Sequence, residues 1–413
     1  MSEQEYIKQE LSETGQEIGI EAEENDETIL EPFDPNKIIV EPRVVSMDAI
    51  LRRLKQGTII LSPSFQRKEV WTDTKKSLLI ESLMLSIPLP MFYVAADDKG
   101  RWEVVDGLQR LSAIRDFLHG DKNGVMLKLQ NLEFLGERFN GKTFKAIEDN
   151  PEDQIVVNTI LETELRFTVI NPGTPEIVKR NIFKRINTGG MPLTTQEIRH
   201  ALYEGESTVL LNKLVSSQEF RDAIGRKIDD SRMGATELVL RLVSFMLFER
   251  NAYKGNMDTW LSNTMRVLNQ SSNINQETVN KVFEDEVPKL GEAPKLKAHS
   301  FEEIENKFSL AMQRAMETFG RHAFRKSLPS DERLSPVNKS LFELWSNILA
   351  NLPQEDYDKL LSKKDQFFLD YESLLKDIEF VNLISRHSSS PSGIIQSYQR
   401  IQKLIMEILE KQL

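Results

Sequence analysis

Apolar and polar positions follow two different periods in the first half of the chain. Five short runs, either apolar or alternating, predict β-strands at residues 38–40, 58–61, 91–94, 101–105 and 164–170. Between them, apolar residues recur every three to four positions, which predicts amphipathic helices at residues 46–54, 73–86 and 108–118, the first of them capped by Ser46. Turn residues such as Pro63 and Gly120 separate these segments. The pattern therefore predicts a mixed strand-helix module.

After Pro175 the pattern is helical almost to the C-terminus. The clearest helices are predicted at residues 176–186, 195–203, 235–249, 301–319, 341–349 and 393–409. We therefore predict an α+β protein, with a mixed strand-helix domain at residues 38–204 and an all-helical domain at residues 205–413. The join between the two is placed near Gly205.

The composition is that of an ordinary globular protein. Of the 413 residues, 39% are hydrophobic and 28% are charged, and none is cysteine. The missing thiols exclude disulfides, thiolate zinc sites, iron–sulfur clusters and cysteine nucleophiles, and they fit a reducing cytosol. We find no secretory signal and no apolar run long enough to span a bilayer. The expectation is a cytoplasmic protein with no membrane partner.

The acidic net charge of −11 originates in one short segment. Residues 1–35 contain twelve acidic residues and one basic residue, Lys8, and subtracting them from the totals of 64 acidic and 53 basic residues leaves 52 of each. A neutral body with local basic patches is compatible with binding to nucleic acid. We expect residues 1–37 to be a disordered, solvated tail. The alternative is a mimic of DNA that covers a basic groove until DNA displaces it.

A polar corner is predicted where the strand at 101–105 meets the following helix. Asp106 and Gly107 form a tight turn there, and Gln109 and Arg110 open the helix. Such a turn is common between any two elements. However, free N–H groups at a helix start bind phosphate oxygens, and an arginine there opposes the helix dipole unless an anion is near. Asp106 can hold a divalent metal or orient a water, and Arg110 can neutralise phosphate.

Two further polar clusters flank this corner along the chain. Gln66 and Arg67 precede Trp71, and Arg185 and Asn187 precede a pair of glycines. In the structural interpretation, Arg67 is a surface charge and the glycines end a helix. In the functional interpretation, glutamine and arginine contact phosphate or base edges, and the glycines permit close approach of a ligand. The three clusters together predict a phosphate site for a nucleotide or a nucleic acid.

Two other features of the sequence, a Walker-like spacing and the histidines, do not indicate a functional site. The segment at residues 136–143 has the spacing of a Walker A loop, but no convincing strand leads into it, so we interpret the match as chance. The five histidines are not at metal-ligand spacing, and we expect His200 on the surface of its helix. No metal ligand is assigned beyond the possible use of Asp106.

The polar motifs, in their order along the chain, resemble a known family. They are Phe65-Gln66-Arg67 with Val70-Trp71, Ile87-Pro88-Leu89-Pro90, Asp106-Gly107-Leu108-Gln109-Arg110, and Arg185-Ile186-Asn187-Thr188-Gly189-Gly190. The family is domain of unknown function 262, the GmrSD restriction endonuclease N-terminal domain, which looks like a ParB/sulfiredoxin-type fold. The resemblance implies a prokaryotic restriction or anti-phage defence role, with binding and hydrolysis of a nucleoside triphosphate (NTP) of unknown identity and a divalent cation such as Mg²⁺.

The resemblance also assigns roles to residues. It makes Asp106 and Arg110 candidate catalytic residues, and the candidate residues that bind nucleotide or DNA are Gln66, Arg67, Gly107, Gln109, Arg185 and Asn187. Two departures bear on this assignment. Leu108 stands where the usual motif has glutamine, and we find no histidine-rich HNH nuclease domain in the C-terminal half.

Three functions are compatible with these observations. The first is an enzyme, an NTP-dependent ParB-like nuclease or NTPase acting on modified DNA. The second is a non-catalytic subunit that binds DNA or nucleotide and recruits a separate nuclease, which the two departures favour. The third is a helical scaffold without a phosphate site. The expected partners are DNA, a separate nuclease subunit and further copies of the chain.

Overall fold

The computed structural model describes residues 7–12, 15–23, 39–61, 71–121, 123–186, 194–225, 228, 230, 232–270 and 274–410. The side chains at positions 176, 177, 183–185 and 289 lie outside this description, although the backbone there is helical. Contacts divide the chain into two compact units, which are residues 31–193 and residues 1–30 together with 194–413. The first is called the sheet unit below and the second the helical unit.

The strands form two sheets. Strands β1 (Gln9–Leu11) and β2 (Glu17–Glu21) pair antiparallel. The larger sheet has the order β3-β7-β5-β6-β4, in which β3 pairs antiparallel with β7, β5 antiparallel with β6, and the pairs β5–β7 and β4–β6 are parallel. Its strands are β3 (Val40–Ser46), β4 (Ile59–Ile60), β5 (Phe92–Ala96), β6 (Trp102–Asp106) and β7 (Glu164–Ile170).

Four helices of the sheet unit follow the predicted segments at residues 46–54, 73–86, 108–118 and 176–186, and three more lie between residues 136 and 162, where no helix was predicted. They are α1 (Met47–Lys55), α2 (Asp73–Met84), α3 (Leu108–Leu118), α4 (Gly136–Phe139), α5 (Phe144–Glu148), α6 (Gln154–Glu162) and α7 (Glu176–Ile186). Polar caps define two of the starts: Ser46 Oγ accepts the N–H of Ala49 ahead of α1, as the sequence predicted, and Thr72 Oγ1 accepts the N–H of Lys75 ahead of α2.

One face of the five-stranded sheet is apolar because alternate residues of its central strands point to it. Phe167 of β7 packs against Phe92 of β5 and Trp102 of β6, with ring centroids 5.1 and 5.3 Å apart. Helices α1, α2, α3 and α6 contribute buried residues to the same core, among them Ile50, Ile80, Ile114 and Ile160. This packing fixes β6 and α3, the two elements that carry the predicted corner.

The helical unit contains the remaining helices of the described chain. They are α8 (Thr195–Leu202), α9 (Glu206–Val215), α10 (Gln218–Ile224), α11 (Gly234–Leu247), α12 (Met257–Gln270), α13 (Gln276–Val282), α14 (Val287–Leu290), α15 (Phe301–Phe319), α16 (Lys339–Asn351), α17 (Gln354–Ser362), α18 (Lys364–Lys376), α19 (Ile378–Ile384) and α20 (Pro391–Glu410). The α+β class with a helical C-terminal region is confirmed; the likeness to a ParB/sulfiredoxin fold stays a prediction.

A buried polar cluster connects α8 with the rest of the helical unit. Arg199 donates to Gln196 at 2.9 Å, to Glu237 at 2.7 Å and to Asp258 at 3.0 Å. His200 is 1% exposed, so its predicted place on the surface is wrong: its side of α8 packs inward. The predicted domain bounds of 38–204 and 205–413 stay a prediction, but in the compact units α8 lies with the helical unit.

The acidic N-terminal segment contains an ordered hairpin, which corrects the expectation of a disordered tail. Strand β2 bonds to Val337, whose N–H donates to Gly19 O while its O accepts the N–H of Glu21, both at 2.8 Å. Ile18 and Ile20 point from β2 into the core of the helical unit and are 3% and 0% exposed. These two isoleucines supply apolar burial that the acidic composition of residues 1–37 concealed.

Three carboxylates of this N-terminal segment pair with cations of the helical unit. Glu10 lies 2.6 Å from Lys339, Glu21 lies 2.7 Å from Lys326, and Glu23 lies 2.5 Å from Arg241. Three of the twelve acidic residues of this segment are therefore placed against specific basic side chains, where they compensate the positive charge. In the described parts of the chain, none of the helices is both long and apolar enough to cross a bilayer.

Candidate functional site

The predicted corner lies where β6 ends at Asp106 and α3 begins at Leu108. Gly107 joins the two with a φ of +96°, in the left-handed region that glycine tolerates best. A Cβ at this position would lie 2.3 Å from Cδ1 of Phe92 and 3.2 Å from Nη2 of Arg110. The turn therefore requires glycine for its backbone conformation and for the close approach of Phe92.

Arg110 is held in place by several groups at once. Its Nη2 donates to Asp106 Oδ2 at 2.9 Å and to Met91 O at 3.3 Å, and its Nη1 donates to Pro90 O. The guanidinium carbon lies 4.5 Å from the ring centroid of Phe92, and the side chain is 12% exposed. Burial lowers the pKa of Arg110, and the charge of Asp106 partly offsets this effect. Arg110 thus ties the first turn of α3 to the segment before β5.

Asp106 is more open than its partner. Its side chain is 39% exposed, and Oδ2 is the oxygen that accepts from Arg110. A carboxylate oriented in this way can present its other oxygen to a water or a cation. Among the residues that the structure describes, no group of three or more histidine, aspartate or glutamate side chains could hold a metal ion. A cation at Asp106 would therefore need further ligands from phosphates and water.

Gln109 connects the beginning of α3 to the beginning of α2. Its Oε1 accepts the backbone N–H of Trp71 at 3.3 Å, and Lys75 Nζ lies 5.0 Å from the ring centroid of Trp71. The structure therefore brings Gln109 beside the residue that follows the predicted Phe-Gln-Arg cluster. Gln66 and Arg67 lie outside the described residues, as does Asn187. Arg185 belongs to α7, but its side chain is outside the description.

A charged cluster that the sequence analysis missed lies between α2 and α3. Lys76 Nζ donates to Asp116 Oδ2 at 2.8 Å, and Arg115 Nη2 donates to Asp116 Oδ1 at 2.6 Å. Asp116 follows Gln109 by seven positions, which is two helical turns, so both lie on the side of α3 that faces α2. That spacing was a signal in the sequence. Two cations share the Asp116 carboxylate, and Lys76 also lies 3.9 Å from Asp73, so the charges of this cluster compensate each other.

Glu81 of α2 has a structural role. Its carboxylate accepts the backbone N–H groups of Glu133, Phe134 and Leu135 at 2.7 to 2.9 Å. Although burial alone would raise the pKa of Glu81, these three hydrogen bonds lower it below its ordinary value. Glu81 thus anchors the segment that leads into α4.

The Walker-like segment at residues 136–143 does not form a phosphate loop. Lys142 Nζ donates to the buried carboxylate of Asp153 at 3.3 Å, and the N–H of Gly141 donates to Leu129 O at 2.6 Å. Its first four residues are the short helix α4, which follows irregular backbone rather than a strand. The spacing is therefore a chance match, as the sequence analysis interpreted it.

A comparison with protein families covers the segment that carries the corner. Residues 48–204 match the model of the GmrSD restriction endonuclease N-terminal domain. This segment is similar to that family. The match confirms the family that the ordered motifs indicated. Among curated proteins, none matches the chain.

The structure explains one departure of residues 48–204 from the usual motif of the GmrSD N-terminal domain. Leu108, which stands where the motif has glutamine, is partly buried and packs against the hydrophobic core of the sheet unit. The position faces the core in this chain, so an apolar side chain suits it. The polar side chains at the corner that can contact a ligand are therefore those of Asp106 and Gln109.

Proposed function

We propose that this protein is a component of a prokaryotic DNA restriction or anti-phage defence system. It acts in the cytoplasm, and its GmrSD N-terminal domain binds and hydrolyses an NTP and acts on modified DNA as a nuclease or as the regulator of one. The family match at residues 48–204 supports the restriction role. The observation that carries the nucleotide proposal is the corner, where Asp106 is oriented by Arg110 at the start of α3.

The corner supplies groups for phosphoryl chemistry. The first-turn N–H groups of α3 have no acceptor within the helix, so they can bind phosphate oxygens. Asp106 can orient the attacking water, because Arg110 fixes one of its oxygens and the side chain stays partly exposed. Gln109 can donate through its amide to a phosphate while its oxygen holds the chain at Trp71.

A Mg²⁺ ion fits the donor set, because Mg²⁺ sites commonly combine one or two carboxylates with substrate phosphates and water. Asp106 would hold it, and when bound it would neutralise charge on the phosphates. Arg110 acts through Asp106 in this scheme and is a positioning residue rather than a catalytic one. Its hydrogen bonds to the backbone oxygens of Pro90 and Met91 hold its guanidinium beside Asp106.

Phosphate release tests the enzymatic proposal. The protein is incubated with each NTP and Mg²⁺ or Mn²⁺, with and without plain or modified plasmid DNA, and inorganic phosphate is measured. Asp106→Ala should reduce release by at least tenfold, since the oriented carboxylate is lost. Asp98→Ala, an exposed aspartate in the turn between β5 and β6, is the matched control and should leave release unchanged. Release that is equal in the Asp106→Ala variant contradicts the proposal.

The second candidate is a non-catalytic subunit that recruits a separate nuclease. One observation favours it: the guanidinium of Arg110 donates to Asp106 and to two backbone carbonyls. Less of its positive charge is therefore available to stabilise a phosphate at the corner. In the described part of the helical unit, the histidines at 299, 322 and 387 belong to no cluster of metal ligands. NTP binding without phosphate release, together with DNA cleavage only after a partner nuclease is added, would support this candidate.

A further inference from the structure

Arginines surround Trp102 at the start of β6, the opposite end of that strand from Asp106. The guanidinium carbon of Arg53, in the last turn of α1, lies 4.0 Å from the Trp102 ring centroid, and that of Arg43, in β3, lies 5.9 Å away. Arg53 Nη2 also donates to Gly100 O at 2.8 Å. Arg52 is exposed beside Arg53 in α1. These three residues, Arg43, Arg52 and Arg53, are called the arginine cluster.

The positive charge of the arginine cluster is poorly compensated within the described chain. Burial lowers the pKa of Arg53, and the charges of Arg43 and Arg52 lower it further. The buried Nε of Arg53 has no acceptor among the described residues. Arg43 pairs with Glu41 at 2.9 Å, but both side chains are nearly half exposed, so water and salt weaken the pair. The cluster therefore presents cations that an external anion can approach.

Packing alone accounts for only part of this arrangement. Stacking on Trp102 explains Arg53, and the helix dipole favours basic residues in the last turn of α1. Arg43 comes from a separate element, β3, and lies 5.9 Å from the Trp102 ring centroid, at the outer limit of a cation–π contact, so stacking stabilises its position only weakly. Like charges gathered at one surface repel each other unless an anion lies between them. A recurring anionic partner gives this gathering a physical reason.

We propose that the arginine cluster binds the sugar-phosphate backbone of double-stranded DNA. The proposal rests on the proposed function, in which DNA is the molecule acted on. Planar guanidinium groups match phosphate oxygens with paired hydrogen bonds, and stacking on Trp102 holds Arg53 in one orientation before binding. Strand β6 separates the cluster from Asp106 by roughly 13 Å along the strand. DNA bound at the cluster therefore leaves the corner free for a nucleotide.

The test measures binding of the full chain to a fluorescently labelled DNA duplex by anisotropy, without nucleotide, between 50 and 200 mM salt. The variants are Arg52→Ala, Arg43→Ala and the double variant. Each lost phosphate contact should make the slope of log affinity against log salt shallower by about 0.9. The loss should be similar for unrelated duplex sequences, because backbone contacts carry no sequence information. Lys145→Ala, an exposed lysine of α5 in the same unit, is the control and should bind as the unaltered protein does.

Several results would overturn the proposal. Unchanged affinity and salt slope in the double variant would mean that DNA binds elsewhere, and no binding by the unaltered protein would remove DNA as the occupant. Tighter binding of an RNA duplex of the same length would replace DNA by RNA. None of these results depends on phosphate release, and the release measured in the samples without DNA judges the nucleotide corner separately.

Discussion

Replacing Glu23 by glutamine removes the carboxylate that faces Arg241 in the helical unit. Arg241 is 3% exposed, and besides Glu23 it donates to the backbone oxygen of Ser388. Ser388 Oγ donates to Glu23 at 2.8 Å, so one carboxylate joins the N-terminal segment to α11 and to the loop before α20. The substitution keeps the shape of the side chain, removes its charge and replaces one acceptor oxygen by an amide donor.

The expected cost follows from the burial of the cation. Removing one partner of a buried ion pair costs about 3–5 kcal/mol, because a charge is left without compensation. The side chain of Glu23 is 26% exposed, and glutamine can still accept one hydrogen bond. We therefore expect a loss of about 2–3 kcal/mol in the free energy of unfolding of the helical unit.

Chemical denaturation followed by circular dichroism of the helices measures this loss. Glu17→Gln is the matched control, because Glu17 lies on the exposed side of β2 and should cost less than about 0.5 kcal/mol. If Glu23→Gln costs no more than Glu17→Gln, the N-terminal hairpin does not compensate Arg241 and the argument is refuted.

Acid should have the same effect as the substitution. Although burial alone would raise the pKa of Glu23, the charges of Arg241 and Lys339 lower it below the ordinary value of 4.5. A lowered pKa in the folded state means that this stabilisation is present above pH 4.5 and is lost as the pH falls through the folded pKa. The difference between the unaltered protein and Glu23→Gln should therefore shrink as the pH falls below 4.5.

Three further predictions concern separate parts of the chain. Gly107→Ala should destabilise the sheet unit by about 2–4 kcal/mol more than Gly100→Ala in urea unfolding. Both glycines have a positive φ, but only at Gly107 would the added Cβ collide with Phe92. An equal loss of stability in the two variants would contradict this collision. Glu81→Gln should cost about 1–3 kcal/mol and should abolish the loss of stability that acid causes through the lowered pKa of Glu81, as pH-dependent unfolding would reveal. Glu23→Gln should not tighten DNA binding measured by anisotropy, because β2 buries Ile18 and Ile20 in the core of the helical unit. An increase in DNA affinity of more than tenfold would instead support the interpretation of the N-terminal segment as a mimic of DNA.

Local patterns in the sequence predicted most elements of the sheet unit. The alternation in β6 and the three-to-four spacing in α3 are properties of neighbouring residues, so they can be recognised without the fold. The turn at Gly107 between these two elements followed directly. The same holds for Ser46 as the cap of α1.

Contacts between distant residues could not be predicted in this way. The N-terminal segment looked disordered because its acidic residues outnumber its apolar ones, while its partners Arg241, Lys326 and Lys339 lie hundreds of positions later. Arg110 was expected to face an anion, yet its guanidinium bonds to Pro90 and Met91 as well as Asp106. Which acceptors surround a side chain depends on packing, and a motif specifies only the side chain itself.

Hydrogen exchange of the backbone amides at residues 106–111 reports whether a nucleotide binds at the corner, whether or not the nucleotide is hydrolysed. The protein is compared with and without a non-hydrolysable NTP analogue and Mg²⁺. If the corner binds the nucleotide, exchange at residues 106–111 becomes slower in the unaltered protein and changes less in Asp106→Ala. Unchanged exchange there, with slower exchange at residues 136–143 instead, would contradict binding at the corner.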